Sequence, residues 1–113
     1  MKKKILIIGN SARAYALAKK ISIDNEVYVA PGNDAMKEFA SIIDIREDSV
    51  AELLEFVMEN DISLTIPFSI KSLTTGIVDV FMKNNQQVFA PNSRIANLVL
   101  DKNMLKKLLI SGF

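Results

Sequence analysis

Short apolar runs alternate along the chain with longer stretches in which apolar residues recur at helical spacing. The first run, Lys4–Gly9, is continuously apolar after its lysine and ends in glycine, which is typical of a strand buried on both faces. The stretch Ala12–Ile21 follows, and its spacing predicts a helix with Lys19 and Lys20 facing outward. The positions on its buried side are Ala14, Leu17, Ala18 and Ile21.

The remaining sequence repeats this alternation. Further strands are predicted at Val27–Ala30, at Ile42, Ile43 and Ile45, at Ile62–Ile66 and at Gln87–Phe89. Further helices are predicted at Met36–Ala40, from Val50 with Leu53, Leu54 and Val57 inward, at about Ser72–Lys83, at Ser93–Leu100 and at Lys102–Ile110. Strands that alternate with helices imply right-handed crossovers. The predicted fold is therefore an α/β, Rossmann-like three-layer domain with a parallel sheet of about five strands.

Composition narrows the classes of function. With 113 residues the chain has room for one domain, residues 1–113, and its 14 basic and 13 acidic side chains nearly balance. The chain therefore lacks the charge excess that would indicate nucleic acid or a membrane as a partner. The apolar run Ile5–Ile8 is too short for a signal peptide or a membrane span, so a cytoplasmic protein is expected. Cysteine and histidine are absent, which excludes thiol and imidazole chemistry, and no catalytic or metal-ligating residue is proposed.

The last residues, Leu108 to Phe113, are apolar and follow a predicted helix directly. A self-contained domain seldom ends this way. The sequence is therefore expected to be a fragment, cut where a second domain begins.

In a parallel sheet of this type, ligands bind beyond the carboxyl ends of the strands. Four loops are expected there: Gly9–Arg13, Pro31–Asp34, Pro67–Ser72 and Ala90–Ser93. The first leads into a helix, whose free N–H groups and dipole favour an anion. Its candidate phosphate-binding residues are Gly9, Asn10, Ser11 and Arg13. A plain strand-to-helix turn with Ser11 as the helix cap explains the same residues equally well.

The other loops carry weaker signals when read alone. The dinucleotide fingerprint G-x-G-x-x-G is missing, because Ser11 and Ala14 stand at its third and sixth positions, so binding of NAD is poorly supported. Asn33, at the tip of the second loop, suits an ordinary turn better than a ligand. Ser69, Lys71 and Ser72 in the third loop suit either an anion site or a solvated surface, and Lys102 beyond the fourth loop, taken alone, suits a surface lysine.

Four segments in order match one known family. They are ILIIGNSARAYAL at Ile5–Leu17, VYVAPGN at Val27–Asn33, Asp61–Ile66 with the later Gly76-Ile77-Val78-Asp79, and Val88–Leu105. The first resembles a strand that leads into G-x-G-G-R-E-H-A-L, and VYVAPGN is the most specific piece. Over essentially its whole length, the chain is similar to the amino-terminal domain of glycinamide ribonucleotide synthetases, in the ATP-grasp superfamily.

This resemblance implies an ATP-dependent ligase of purine biosynthesis that joins a carboxylate to an amine. In the family, ATP phosphorylates glycine and the amine of phosphoribosylamine attacks the acyl phosphate, with ATP and magnesium bound by later domains. This chain alone is expected to be inactive, to hold neither ATP nor magnesium, and to have a small-molecule substrate and the later ATP-grasp domains as partners. The positions matching the family's substrate-binding loops are Gly9, Asn10, Ser11, Arg13, Pro31, Gly32 and Asn33. Lys102 matches a lysine that contacts ATP phosphates.

The sequence departs from the family pattern at several polar positions. Ala14 and Tyr15 replace a glutamate and a histidine, Ile70 replaces a glutamate, and Val99-Leu100-Asp101 replaces E-G-S. Two other functions therefore stay open: a divergent ATP-grasp ligase with another substrate, and a non-catalytic nucleotide-binding regulatory domain. A response-regulator receiver domain is a weaker option, because the first strand ends in Gly9-Asn10 and not in acidic residues.

Overall fold

The structure, a computed structural model, describes residues 3–90. Its sheet contains four parallel strands in the order β3-β2-β1-β4. The strands are β1 (Lys4–Gly9), β2 (Glu26–Pro31), β3 (Ser41–Ile42) and β4 (Leu64–Pro67). The helices are α1 (Ala12–Ser22), α2 (Val50–Glu59), α3 (Ile70–Leu73) and α4 (Ile77–Lys83), and a 3-10 helix spans Asp34–Glu38. The α/β, Rossmann-like fold class predicted from the sequence is confirmed.

Helices cover both faces of the sheet. β1 is apolar at every position after its lysine, so the side chains on each of its faces have to be buried. Ile5 and Ile7 pack on one face with α1 and the 3-10 helix. Leu6 and Ile8 pack on the other face with α2 and α4. All four side chains are fully buried. Two apolar cores result, one on each side of a central strand, as expected for a continuous apolar run.

The strand predictions hold best at the centre of the sheet. β1 spans the predicted residues, whereas β3 contains only Ser41–Ile42 and β4 begins at Leu64. The predicted fifth strand consists of one parallel bridge between Thr65 and Val88. This bridge lies on the side of β4 that faces away from β1. The helices predicted at 93–100 and 102–110 lie outside the described residues.

The helix predicted over Ser72–Lys83 is wrong in one respect, because a turn divides it. α3 ends at Leu73 and α4 begins at Ile77. Between them Gly76 has a φ of +77°, a left-handed conformation that interrupts any right-handed helix. The longest helix within residues 3–90 is α1, with 11 residues. No helix in that range is long and apolar enough to cross a membrane.

Thr65 carries a buried hydroxyl within β4. The residue is fully buried, and its Oγ1 has no hydrogen-bond partner among the described residues. An unsatisfied buried hydroxyl costs about 1–3 kcal/mol, whereas valine has nearly the same shape. We expect Thr65→Val to raise the free energy of unfolding by about 1 kcal/mol, measured by urea denaturation.

The matched control is Thr65→Ser, which keeps the hydroxyl and loses a buried methyl group. We expect this variant to be less stable than the parent by about 1 kcal/mol. If Thr65→Val is instead the less stable of the two, the hydroxyl has a partner that contributes to folding.

Candidate functional site

The carboxyl ends of β1, β2 and β4 bring three of the predicted loops together. Gly9 pairs in register with Pro31, and Ile8 pairs with Pro67. The N–H of Gly32 donates to the carbonyl oxygen of Gly9 at 3.1 Å, just beyond the paired strands. The loops Gly9–Arg13, Pro31–Asp34 and Pro67–Ser72 therefore leave the sheet side by side, as expected. Of the fourth predicted loop, the structure describes only Ala90.

The first loop presents the start of α1 to solvent. Ser11 is the N-cap, and its Oγ accepts a hydrogen bond from the N–H of Ala14 at 3.1 Å. The cap predicted by the plain-turn interpretation is therefore present, at the point where the first turn of α1 faces the carboxyl edge of the sheet.

Gly9 lets the first and third loops approach each other closely. Its φ is +151°, which side-chain-bearing residues rarely adopt. A Cβ at this position would lie 3.3 Å from the carbonyl oxygen of Phe68 and 3.5 Å from the Cβ of Ala14. An added Cβ would therefore need a small shift of the third loop at Phe68, besides the unfavourable φ.

The second loop is tied to the first through Asn33. Its Nδ2 donates to the carbonyl oxygen of Asn10 at 3.1 Å, and its Oδ1 is buried without a partner among residues 3–90. The preceding peptide, Ala30–Pro31, is cis. The turn role favoured for Asn33 from the sequence alone is therefore incomplete, because the side chain also fixes the backbone of the candidate phosphate loop.

The third loop uses its two serines to hold its own shape. Ser69 caps α3, with its Oγ accepting from the N–H of Ser72 at 3.1 Å. The Oγ of Ser72 is fully buried with its residue and donates to the carbonyl oxygen of Ser69 at 2.8 Å. These hydroxyls are therefore occupied within the loop. Ile70, by contrast, is 83% exposed at this edge of the sheet.

The cations of the three loops are Arg13 and Lys71, and the second loop ends in the carboxylate of Asp34, which pairs with Lys37 at 3.2 Å. The guanidinium carbon of Arg13 lies 5.8 Å from the ring centroid of Phe68, within the range of a cation–π contact. Lys71 lies 4.0 Å from the carboxylate of Asp48, which also pairs with Arg46 at 3.0 Å. Asp48 therefore offsets part of the positive charge of Lys71. Phe68 was not among the residues singled out from the sequence, where its position directly after Pro67 is the one available signal.

One predicted site residue is not among those that the structure describes. Lys102 lies outside the described residues. Within residues 3–90, no group of three or more Asp, Glu, His or Cys side chains is arranged to hold a metal ion. The described loops provide backbone N–H groups, the amide of Asn33, the cations Arg13 and Lys71, and the carboxylate of Asp34.

Other polar features lie away from this edge. A shallow depression is lined by the first residues of β2 and β3, including Glu26 and Ser41, and so opens at the opposite end of the sheet. Glu26 also accepts a hydrogen bond from the hydroxyl of Tyr28 at 2.6 Å. This hydrogen bond, with partial burial and the nearby negative charge, raises the pKa of Tyr28 to about 12. Neither feature faces the loops described above.

Comparison with known proteins identifies the family. The family model described as "Phosphoribosylglycinamide synthetase, N domain" matches residues 3–98. A phosphoribosylamine–glycine ligase from Lactococcus lactis is 39% identical over 110 residues, which cover 94% of this chain and 27% of the relative. The ligases of the same name from Halalkalibacterium halodurans and Streptococcus pneumoniae are 35% and 33% identical, over 93% and 95% of this chain and 25% and 26% of the relatives.

The chain thus spans about a quarter of the length of these relatives. The resemblance inferred from VYVAPGN and the other segments is confirmed, since the family match includes nearly all of them. This chain belongs to the family of phosphoribosylglycinamide synthetase N domains.

Proposed function

We propose that this chain is the amino-terminal, substrate-binding domain of an ATP-dependent ligase that joins phosphoribosylamine to glycine. The observation that carries the proposal is the family match over residues 3–98. The relatives are named for the same reaction. A carboxylate is a poor electrophile until it is phosphorylated. ATP would activate glycine, and attack by the amine would then give the amide, ADP and phosphate.

In this proposal the chain recognises the phosphoribosyl substrate. Its phosphate would accept hydrogen bonds from the N–H groups at the start of α1, beside the guanidinium of Arg13. Gly9, Asn10 and Ser11 shape that loop, and Asn33 holds its backbone from the neighbouring loop at 3.1 Å. Pro31 and Gly32 would form the adjacent wall of the site.

The ATP-dependent step is proposed for the intact ligase. ATP supplies the phosphoryl group, and magnesium would offset its charge during transfer. Lys102 is proposed to contact ATP phosphates, and residues 1–113 are proposed to form a single domain that precedes the ATP-grasp domains. The described loops are assigned only the binding and orientation of the phosphoribosyl group.

The phosphate site can be tested by NMR titration of the ¹⁵N-labelled chain with inorganic phosphate and with ribose 5-phosphate. We expect fast-exchange shifts of the Asn10–Arg13 amides at millimolar ligand. Arg13→Gln should raise the dissociation constant about three- to tenfold, because it removes one exposed charge-assisted hydrogen bond.

Lys83→Gln is the matched control. It also lowers the net charge by one, but Lys83 is an exposed residue at the carboxyl end of α4 and belongs to none of the three loops. The dissociation constant of this variant should match that of the parent. Equal weakening by both substitutions would indicate a nonspecific charge effect, and an absence of shifts at Asn10–Arg13 would overturn the proposed site.

A ligase with a different substrate is the second candidate, and the exposure of Ile70 favours it. An aliphatic side chain at the carboxyl edge, 83% exposed, cannot accept a hydrogen bond from a ribose hydroxyl or an amine. The same titration separates the candidates. If the ribosyl group contributes to recognition, ribose 5-phosphate binds more tightly than inorganic phosphate. Equal dissociation constants for the two ligands favour the divergent ligase.

A further inference from the structure

Lys71 is the one charged residue of the third loop, and the proposed function leaves it without a role. The hydroxyls of Ser69 and Ser72 are hydrogen-bonded within the loop. The Lys71 side chain, by contrast, is 60% exposed. The loop begins beside the end of β1, because the N–H of Phe68 donates to the carbonyl oxygen of Ile8 at 2.8 Å. Lys71 is therefore an exposed cation of a loop that leaves the sheet next to the candidate phosphate loop.

A carboxylate from the segment between β3 and α2 lies near this lysine. The Oδ2 of Asp48 is 4.0 Å from the Nζ of Lys71 and 3.0 Å from the Nη2 of Arg46. The Asp48 side chain is 29% exposed, whereas that of Arg46 is 75% exposed. Two cations therefore share one carboxylate oxygen, and the arginine is the nearer of the two.

The contact between Lys71 and Asp48 can be exchanged for another at little cost. At 4.0 Å it lies at the outer limit of an ion pair, and exposed pairs contribute little to stability. When Lys71 leaves, Asp48 still has Arg46 at 3.0 Å, so the carboxylate is not left without a counter-ion. A phosphate offers the ammonium group a charge-assisted hydrogen bond in return.

We propose that Lys71 is a binding residue for the substrate phosphate and that it exchanges Asp48 for this phosphate when the ligand arrives. This inference rests on the proposed function, because it takes the phosphate bound at the carboxyl edge of the sheet as the ligand. The third loop then contributes a cation to the site. Asp48 touches no ligand in this scheme, and its carboxylate competes with the phosphate for Lys71.

The role of Lys71 is tested by NMR titration of the ¹⁵N-labelled chain and its variants with inorganic phosphate. Lys71→Gln should raise the dissociation constant about two- to fivefold, as expected for the loss of one exposed ion pair. Lys71→Arg keeps the charge and should retain the affinity of the parent. Lys83→Gln again serves as the matched control and should also bind like the parent. A dissociation constant unchanged in Lys71→Gln, or raised equally in Lys83→Gln, overturns the inference.

The exchange of partners is tested with Asp48→Asn. Loss of the competing carboxylate should lower the dissociation constant for inorganic phosphate about two- to threefold. Glu59→Gln removes the same charge at the opposite end of the sheet, where the carbonyl oxygen of the next residue, Asn60, accepts from the Nζ of Lys4 at 3.3 Å. This control should bind like the parent. In a Lys71→Gln background, Asp48→Asn should have no further effect, and a gain in affinity that persists there overturns the exchange.

Failure of this inference can be told apart from failure of the proposed function. If phosphate shifts the Asn10–Arg13 amides while Lys71→Gln binds as tightly as the parent, the proposed phosphate site stands and the role of Lys71 is overturned. If Lys71→Gln weakens phosphate binding but those amides never shift, Lys71 does bind the anion and the proposed site at the first loop is wrong.

Discussion

Replacement of Phe81 by alanine is expected to lower the free energy of unfolding by about 3–5 kcal/mol. Phe81 is fully buried in the core beneath α2 and α4, in the same cluster as Leu6 and Ile8 of the central strand. α4 has only seven residues, fewer than an isolated helix needs to be stable in water. Its attachment to the sheet therefore depends on two fully buried side chains, Ile77 and Phe81. Urea denaturation followed by circular dichroism measures the loss.

Met82→Ala provides the control, because Met82 is the next residue of the same helix and is 64% exposed. Its substitution should change stability by about 0.5 kcal/mol or less. If Phe81→Ala lowered stability as little as Met82→Ala does, α4 would contribute little to the core on this face of the sheet. A loss as large as that expected for Phe81→Ala is a large share of the 5–15 kcal/mol typical of a whole domain.

The central strand β1 could be predicted because the pattern of apolar residues there favours one type of element. Lys4–Gly9 is continuously apolar and short, and glycine ends it, so a strand buried on both faces fits it better than a helix does. β1 occupies those six residues. The parallel topology then follows from the alternation of strands and helices, and it predicts the adjacency of the loops at the carboxyl edge.

The break between α3 and α4 could not be found from periodicity. Leu73, Ile77 and Phe81 keep helical spacing across the turn, so the apolar pattern continues where the hydrogen bonds do not. The local signal is Gly76 after two threonines, all of which disfavour a helix only weakly. The final geometry depends on the left-handed φ that Gly76 adopts.

The side-chain contacts within the site also could not be predicted from the sequence. The loops were predicted to be neighbours, but the hydrogen bond from Asn33 to Asn10 and the contact between Arg13 and the Phe68 ring were not. Spacing along a strand or helix fixes which face a residue occupies, whereas the direction of a loop side chain depends on irregular dihedral angles. The family resemblance supplied candidate residues such as Asn33, without the contacts that they make.

Gly32→Ala is expected to lower the free energy of unfolding by about 2 kcal/mol and to disturb the phosphate loop. Gly32 has a φ of +65°, and left-handed backbone costs other residues about 1–2 kcal/mol. A Cβ there would also lie 2.9 Å from the Cδ1 of Ile42 and 3.4 Å from the Cβ of Val29. The Ile42 side chain can move, which limits the added cost. Chemical denaturation gives the change in stability.

Gly76→Ala separates the two causes, because Gly76 has a similar φ of +77° but no atom within 4 Å of an added Cβ. It should lose about 1 kcal/mol, from backbone strain alone. The N–H of Gly32 also donates to Gly9, so a shift of this turn should move the first loop and weaken phosphate binding. Gly76→Ala should leave phosphate binding unchanged. Equal losses of stability in the two variants would show that contact with Ile42 costs nothing, and unchanged phosphate affinity in Gly32→Ala would show that the two loops act independently.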